Sequence, residues 1–99
     1  MTIRVRRGSG NVFRDLGFDP EEAAHLALRS QLMIELRTRL AAVGASQAEL
    51  AEALGVSQPR VSDLFRGKID RFSVDTLVKL LGMAGADVSL VVRERGRAA

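Results

Sequence analysis

The sequence contains no cysteine and only one histidine. Without cysteine the chain has no disulfide framework, no thiolate nucleophile and no cysteine-ligated zinc site. A single histidine in a chain without cysteine is a poor candidate for a catalytic or metal site, so we interpret His25 as a packing residue. The chain also lacks a nucleophile paired with a base and a complete phosphate-binding loop. We therefore expect a protein that is not an enzyme and that needs no cofactor or metal.

Long apolar stretches are absent as well. No run approaches the roughly 18 consecutive apolar residues of a membrane span, and the N-terminus lacks the apolar region of a signal peptide. The hydrophobic content of 46% is still sufficient for one compact core in a chain of 99 residues. These features predict a single-domain protein that is soluble and cytoplasmic.

Residues 46–67 have the pattern of two short helices joined by a tight turn. Ser46 stands three residues before a glutamate, which is the spacing of a capping box, so a helix should begin at Gln47. Gly55 can close that helix in the left-handed conformation. Ser57 can cap a second helix, whose first turn tolerates a proline. The spacings predict a helix-turn-helix, in which the second helix can enter a DNA major groove.

This stretch resembles the Xre-type DNA-binding family of the lambda repressor and Cro. The matching residues are Gln47, Leu50, Ala51, Gly55, Val56, Ser57, Val61, Ser62, Leu64 and Gly67. The resemblance implies a mainly α fold, a five-helix lambda-repressor-like domain. One departure is Phe65, where many members of the family carry glutamate. Residues 59–68 and 87–93 resemble more narrowly the antitoxins of HigBA-like toxin–antitoxin modules, which implies an antitoxin that neutralises a toxin and represses its own operon.

The second predicted helix has an outward face that can meet DNA. Val61 and Leu64 lie three residues apart and face inward, so the polar side chains between them face outward. Positive charge brackets this helix: residues 1–14 hold four arginines and no acidic residue, and residues 58–71 are again net positive. The predicted DNA-binding residues are Gln47, Ser57, Gln58, Pro59, Arg60, Ser62, Asp63, Arg66, Lys68 and Arg71.

The chemistry of these side chains predicts their roles. Gln58 can form two hydrogen bonds with adenine, Arg60 can bind guanine or phosphate, and Asp63 can accept from cytosine or orient Arg60. Lys68 and Arg71 should bind the DNA backbone without sequence information.

Simpler roles are open for some of the same residues. Ser57 can act only as a cap, Pro59 can only shape the first turn, and Arg66 can pair with Asp63 at helical spacing. For Gln47, the family resemblance implies a contact with phosphate.

A long helix precedes the helix-turn-helix. An aspartate, a proline and two glutamates at residues 19–22 predict its start, and it should end at Gly44. An apolar stripe at helical spacing predicts its core face: Leu28, Leu32, Leu36, Leu40 and Val43. Leu26, Met33 and Ile34 fall on another side, which indicates a second packing partner.

Residues 1–18 are predicted to form a flexible basic arm. Residues 2–7 alternate apolar and basic side chains, which is typical of a short strand or of an arm on nucleic acid. Beyond a glycine hinge, four apolar residues should either pack on the body or be covered by a partner. They are Val12, Phe13, Leu16 and Phe18. If the antitoxin resemblance holds, the partner would be a small basic toxin.

The C-terminal third predicts a helix capped by Ser73 and then a strand over residues 87–93. Val88, Leu90 and Val92 share one face of that strand. A single strand must pair, either with residues 2–7 of the same chain or with its own copy in a homodimer. We predict the homodimer, with residues 19–93 as the folded domain and residues 94–99 as a tail.

The sequence thus favours a sequence-specific DNA-binding repressor, an antitoxin that binds operator DNA as a homodimer. Two alternatives are open. One is a stand-alone Xre-type regulator without a toxin, and the other is a protein-interaction module on a helix-turn-helix scaffold. The positive charge around the second helix favours DNA binding over the interaction module.

Overall fold

The computed structural model describes residues 2–3, 17 and 19–94. In chain order the elements are β1 (Thr2–Ile3), α1 (Pro20–Val43), α2 (Gln47–Leu54), α3 (Gln58–Phe65), a 3₁₀ helix (Ile69–Arg71), α4 (Val74–Met83) and β2 (Asp87–Val88). The predicted mainly α fold is confirmed. The described residues contain four α-helices, so the fifth helix expected from the family resemblance is not among them. Most of the predicted arm, including its four apolar residues, and the end of the tail lie outside the described residues.

Helix α1 begins and ends as its sequence predicts. The Asp19 carboxylate accepts a hydrogen bond from the Glu22 backbone N–H at 2.9 Å, and a proline occupies the first turn. Gly44 closes the helix with a φ of 75°. None of the helices in the described residues has the length and apolarity needed to cross a bilayer.

The core face of α1 is broader than the predicted stripe. Leu32, Leu36 and Leu40 are buried as expected, but Met33, which was assigned to the second side, is buried as well. The reason is that α1 packs against three elements, α4, α3 and the 3₁₀ helix. Val43, predicted to lie in the core, is 65% exposed because it occupies the last turn of the helix. The packing role predicted for His25 is also wrong, since its side chain is exposed.

One hydrophobic cluster joins all the α-helices. Phe72, which follows the 3₁₀ helix, is the largest fully buried side chain. It packs with α1, α3 and α4 residues in the same cluster, among them Leu36, Val61, Leu64, Leu77 and Leu81. This shared core fixes the position of the α2–α3 pair relative to the long helix.

The strand pairing lies within one chain. β1 and β2 are parallel, with Thr2 opposite Asp87 and Ile3 opposite Val88. The sequence left two pairings open and we predicted the one across a homodimer, but the observed pairing is the one within the chain. The predicted strand extended to Arg93, but the observed strand covers only Asp87–Val88. Leu90 and Val92, beyond its end, are 68% and 80% exposed.

Candidate nucleic-acid interface

The first helix of the helix-turn-helix is held by the predicted capping box. The Ser46 hydroxyl accepts from the Glu49 N–H at 3.1 Å, and the Ser46 N–H donates to the Glu49 carboxylate at 2.9 Å. Hydrogen bonding to the Glu49 carboxylate, first from the Ser46 backbone N–H and then from the Ser46 side chain, holds the pKa of Glu49 below its ordinary value. Gln47 is the first residue of α2 and is exposed, at the end of a helix whose N–H groups favour an anion.

The turn between α2 and α3 depends on Gly55. Its φ is 69°, in the left-handed region where other residues are strained. The Val56 N–H donates to the Ala51 carbonyl at 3.0 Å, which completes the end of α2. The Ser57 hydroxyl then accepts from the Arg60 N–H at 3.3 Å and caps α3. Ser57 therefore has the capping role that the sequence allowed.

Helix α3 is amphipathic, with its apolar side in the core. Val61 and Leu64 are each only 1% exposed. The opposite side presents Gln58, Pro59 and Arg66, which are exposed, while other polar residues of α3 are partly buried. The described structure thus leaves an outward polar face on the second helix, as the sequence predicted.

Arg60 is engaged by its own chain. Its guanidinium carbon lies 4.4 Å from the centroid of the Phe72 ring, a cation–π arrangement. Its Nη1 also donates to the Arg71 carbonyl oxygen at 2.8 Å. Arg60 therefore bridges α3 and the end of the 3₁₀ helix.

Asp63 has a different partner from those expected. Its Oδ2 lies 3.3 Å from Nη1 of Arg71, so it neither orients Arg60 nor pairs with Arg66. The Arg71 side chain is 55% exposed and that of Asp63 only 16%. Lys68 is partly buried and its backbone N–H donates to the Asp63 carbonyl at 3.1 Å. The predicted cations thus lie beside α3, with one of them paired to an acid of that helix.

A further arginine, which was not among the predicted residues, also contacts this site. Arg29 of α1 donates from Nη1 to the carbonyl oxygens of Phe72, at 3.4 Å, and Ile69, at 3.5 Å. A contact over 40 or more positions has no periodic or capping signal in the sequence. Arg29 is therefore recognised only from the tertiary structure.

Comparison with known proteins agrees with this geometry. A family described as a helix-turn-helix domain matches residues 12–93. The chain belongs to this family. A curated relative, an uncharacterised helix-turn-helix transcriptional regulator of Haemophilus influenzae, is 35% identical over 81 residues, which are 82% of each chain.

A solved structure supports the more specific assignment. It is provisionally described as an XRE family transcriptional regulator, and it matches with a TM-score of 0.71 at 33% identity. The match covers 79% of this chain and 88% of the other. The chain is thus an Xre-type helix-turn-helix protein, as the family resemblance of residues 46–67 implied.

Proposed function

We propose that this Xre-type protein is a transcriptional repressor that binds a palindromic operator as a homodimer. The observation that carries the proposal is the exposed polar face of α3, which lies next to the cations of the 3₁₀ segment. A helix presented in this way fits the major groove, and neighbouring cations neutralise phosphates. The proposal includes no enzymatic step.

Within this proposal, α3 supplies the base contacts and its surroundings supply the phosphate contacts. Gln58, the first residue of α3, and Arg66, which follows its last residue, are exposed and carry the hydrogen-bonding groups that recognise adenine and guanine. Gln47, Lys68 and Arg71 are placed at helix ends beside α3, where contacts with the DNA backbone fix the register.

The homodimer is proposed to form through the C-terminal segment. Leu90 and Val92 are highly exposed apolar side chains in the single chain. Exposed apolar surface of this kind is usually buried against a binding partner. A twofold dimer also places two copies of α3 on one face of the DNA, which palindromic half-sites require.

The antitoxin function is proposed from the resemblance of residues 59–68 and 87–93 to HigBA-like antitoxins. Further support comes from α1, where Ile34 is 55% exposed and Glu21 and Glu22 lie on the surface of the first turn. An apolar side chain and exposed acids suit contact with a small basic protein. Co-expression with the product of the neighbouring gene tests this function: relief of its toxicity supports the antitoxin, and unrelieved toxicity or a harmless neighbour favours a stand-alone regulator.

The DNA-binding proposal is tested by selection from random duplexes. We expect enrichment of a palindrome whose half-sites are separated by about 10 base pairs or a multiple of that. Gln58→Ala should lose about 1–3 kcal/mol of discrimination at one position of each half-site. Lys68→Ala is the matched control, because loss of a phosphate contact should weaken binding to all sequences and reduce the salt slope by about one unit. Equal affinity of the unmodified protein for selected and scrambled duplexes would contradict the proposal and favour an interaction module.

A further inference from the structure

The segment between α3 and α4 is held by arginines from two different helices. Arg29 of α1 donates to the carbonyl oxygens of Ile69 and Phe72, and Arg60 of α3 donates to the carbonyl of Arg71. A short 3₁₀ helix leaves carbonyl groups without partners at its C-terminal end, where its dipole also favours cations. The two guanidinium groups donate to the carbonyls of Arg71 and Phe72, and Arg29 adds a bond to the Ile69 carbonyl, which also accepts from the Phe72 N–H.

The contacts of Arg60 are unlike those expected of a side chain that reads bases. Direct recognition of guanine uses the edge of a guanidinium that extends into the groove. In this protein the guanidinium carbon of Arg60 lies over the Phe72 ring, 4.4 Å from its centroid, and Phe72 is only 2% exposed. The Arg60 side chain therefore contacts a buried ring of its own chain.

Asp63 supplies the remaining connections between α3 and this segment. Its carboxylate pairs with the Arg71 side chain, and its backbone carbonyl accepts from the Lys68 N–H. Arg60 and Asp63 lie three residues apart, on neighbouring turns of α3. Arg60 thus holds the backbone of Arg71, whereas the Asp63 carboxylate contacts only the Arg71 side chain.

We propose that Arg60 is a positioning residue, which clamps the 3₁₀ helix against α3 so that Lys68 and Arg71 meet the DNA backbone in a fixed register with Gln58. The inference rests on the proposed DNA-binding function and adds to it a role for Arg60 other than base recognition. Arg60 acts through Lys68 and Arg71, whose contacts with phosphate do not depend on sequence.

The clamp is tested first in the free protein, by hydrogen exchange. The reporters are the Arg71 and Phe72 amides, which donate to Lys68 and Ile69 within the 3₁₀ segment. Arg60→Ala should accelerate their exchange by about tenfold or more, because a hydrogen bond from a charged donor is lost. Arg60→Lys should restore part of the protection, since lysine keeps the charge but not the planar stacking group. Gln58→Ala is the control, and its rates should match those of the unmodified protein.

The second measurement is a double-mutant cycle with Lys68→Ala on selected and scrambled duplexes. If Arg60 positions Lys68, then Lys68→Ala should weaken binding much less in the Arg60→Ala background, with a coupling of about fivefold or more. Arg60→Ala should also leave the base preference at every operator position unchanged.

The outcomes distinguish this inference from the proposed function. Unchanged exchange at Arg71 and Phe72 in Arg60→Ala overturns the clamp, whether or not the protein binds DNA. Additive effects of the two substitutions overturn the positioning role. Loss of preference at a single base pair also overturns it and assigns Arg60 to base recognition. Failure of the unmodified protein to prefer any duplex contradicts the proposed function alone, because the exchange measurement still decides whether the clamp exists.

Discussion

At the scale of single residues, the pairing of Asp63 with Arg71 has a consequence for DNA affinity. The acid lies 3.3 Å from a cation that is placed to bind phosphate, and it carries a negative charge on the helix proposed to enter the groove. We expect Asp63→Asn to tighten binding to all duplexes by about 0.5 kcal/mol, because a repulsive charge is removed and Arg71 is released. Binding titrations on scrambled DNA at several salt concentrations measure this change.

The control for Asp63→Asn is Glu21→Gln, which removes the same charge from the first turn of α1. It should change the affinity much less than Asp63→Asn does. A loss of preference for one base pair in Asp63→Asn, without a general gain in affinity, would instead mean that the carboxylate accepts a hydrogen bond from cytosine.

The Glu49 carboxylate makes part of the stability dependent on pH. Hydrogen bonds from Ser46 lower the pKa of Glu49 from its ordinary value of 4.5. A carboxyl group whose pKa is lower in the folded than in the unfolded protein stabilises the folded state at pH values above its unfolded-state pKa. This contribution is lost as the pH falls through its folded-state pKa. Glu49→Gln should therefore lower the free energy of unfolding at pH 7, and the difference from the unmodified protein should shrink below pH 4.5.

Urea denaturation at neutral and acidic pH measures this effect. The control is Glu52→Gln, which removes an exposed carboxylate from the same helix but leaves the capping box intact. The opposite result is that Glu49→Gln and the unmodified protein differ in free energy of unfolding by the same amount at acidic and at neutral pH. That result would show that the charge of Glu49 does not stabilise the cap.

At the scale of elements, two glycines have different conformational requirements: Gly67 follows the end of α3, and Gly82 lies inside α4. Gly67 has a φ of 73°, and a Cβ atom there would lie 3.4 Å from Nη1 of Arg37. Gly67→Ala should destabilise the fold by about 1–2 kcal/mol because the left-handed conformation is strained for alanine. Gly82 lies within α4 at an ordinary φ with open space around it. Gly82→Ala should stabilise the protein by about 0.5–1 kcal/mol.

Thermal melting of the two variants provides the comparison. Opposite shifts in Tm are expected from chemically identical substitutions, so each variant serves as the control for the other. A stabilised Gly67→Ala would contradict the left-handed end of α3.

At the scale of the whole molecule, the exposed C-terminal side chains predict how two chains associate. Leu90 and Val92 contribute little to the single-chain core, because both are largely exposed. Replacement of both by aspartate should leave the melting of the monomer nearly unchanged but should abolish the dimer, since charges would enter an apolar contact. Operator affinity should fall in parallel, and sedimentation gives the oligomeric state.

Ile34→Asp is the matched control, because Ile34 is also exposed but lies on α1. It should leave the dimer intact. An unmodified protein that sediments as a monomer at micromolar concentration would rule out the proposed dimer.

Local spacing in the sequence was sufficient to predict the α-helices of this protein and the order of caps and turn in its helix-turn-helix. Asp19, Ser46 and Ser57 cap their helices, and Gly44 and Gly55 end theirs, where the sequence predicted. These features are readable because a cap joins residues at most four positions apart, so local spacing contains the whole interaction. The inward positions of α3 followed in the same way from helical periodicity.

The tertiary structure alone decided which side chains meet across the fold. The position of Arg60 over Phe72 and the bonds from Arg29 join residues 12 to 43 positions apart. Such contacts depend on how α1, α3 and the 3₁₀ helix pack together, and no periodicity within one element contains that information. For the same reason Met33, which was assigned to a second side of α1, is buried in the core with Leu32 and Leu36. A helix with several packing partners has a core face wider than one stripe.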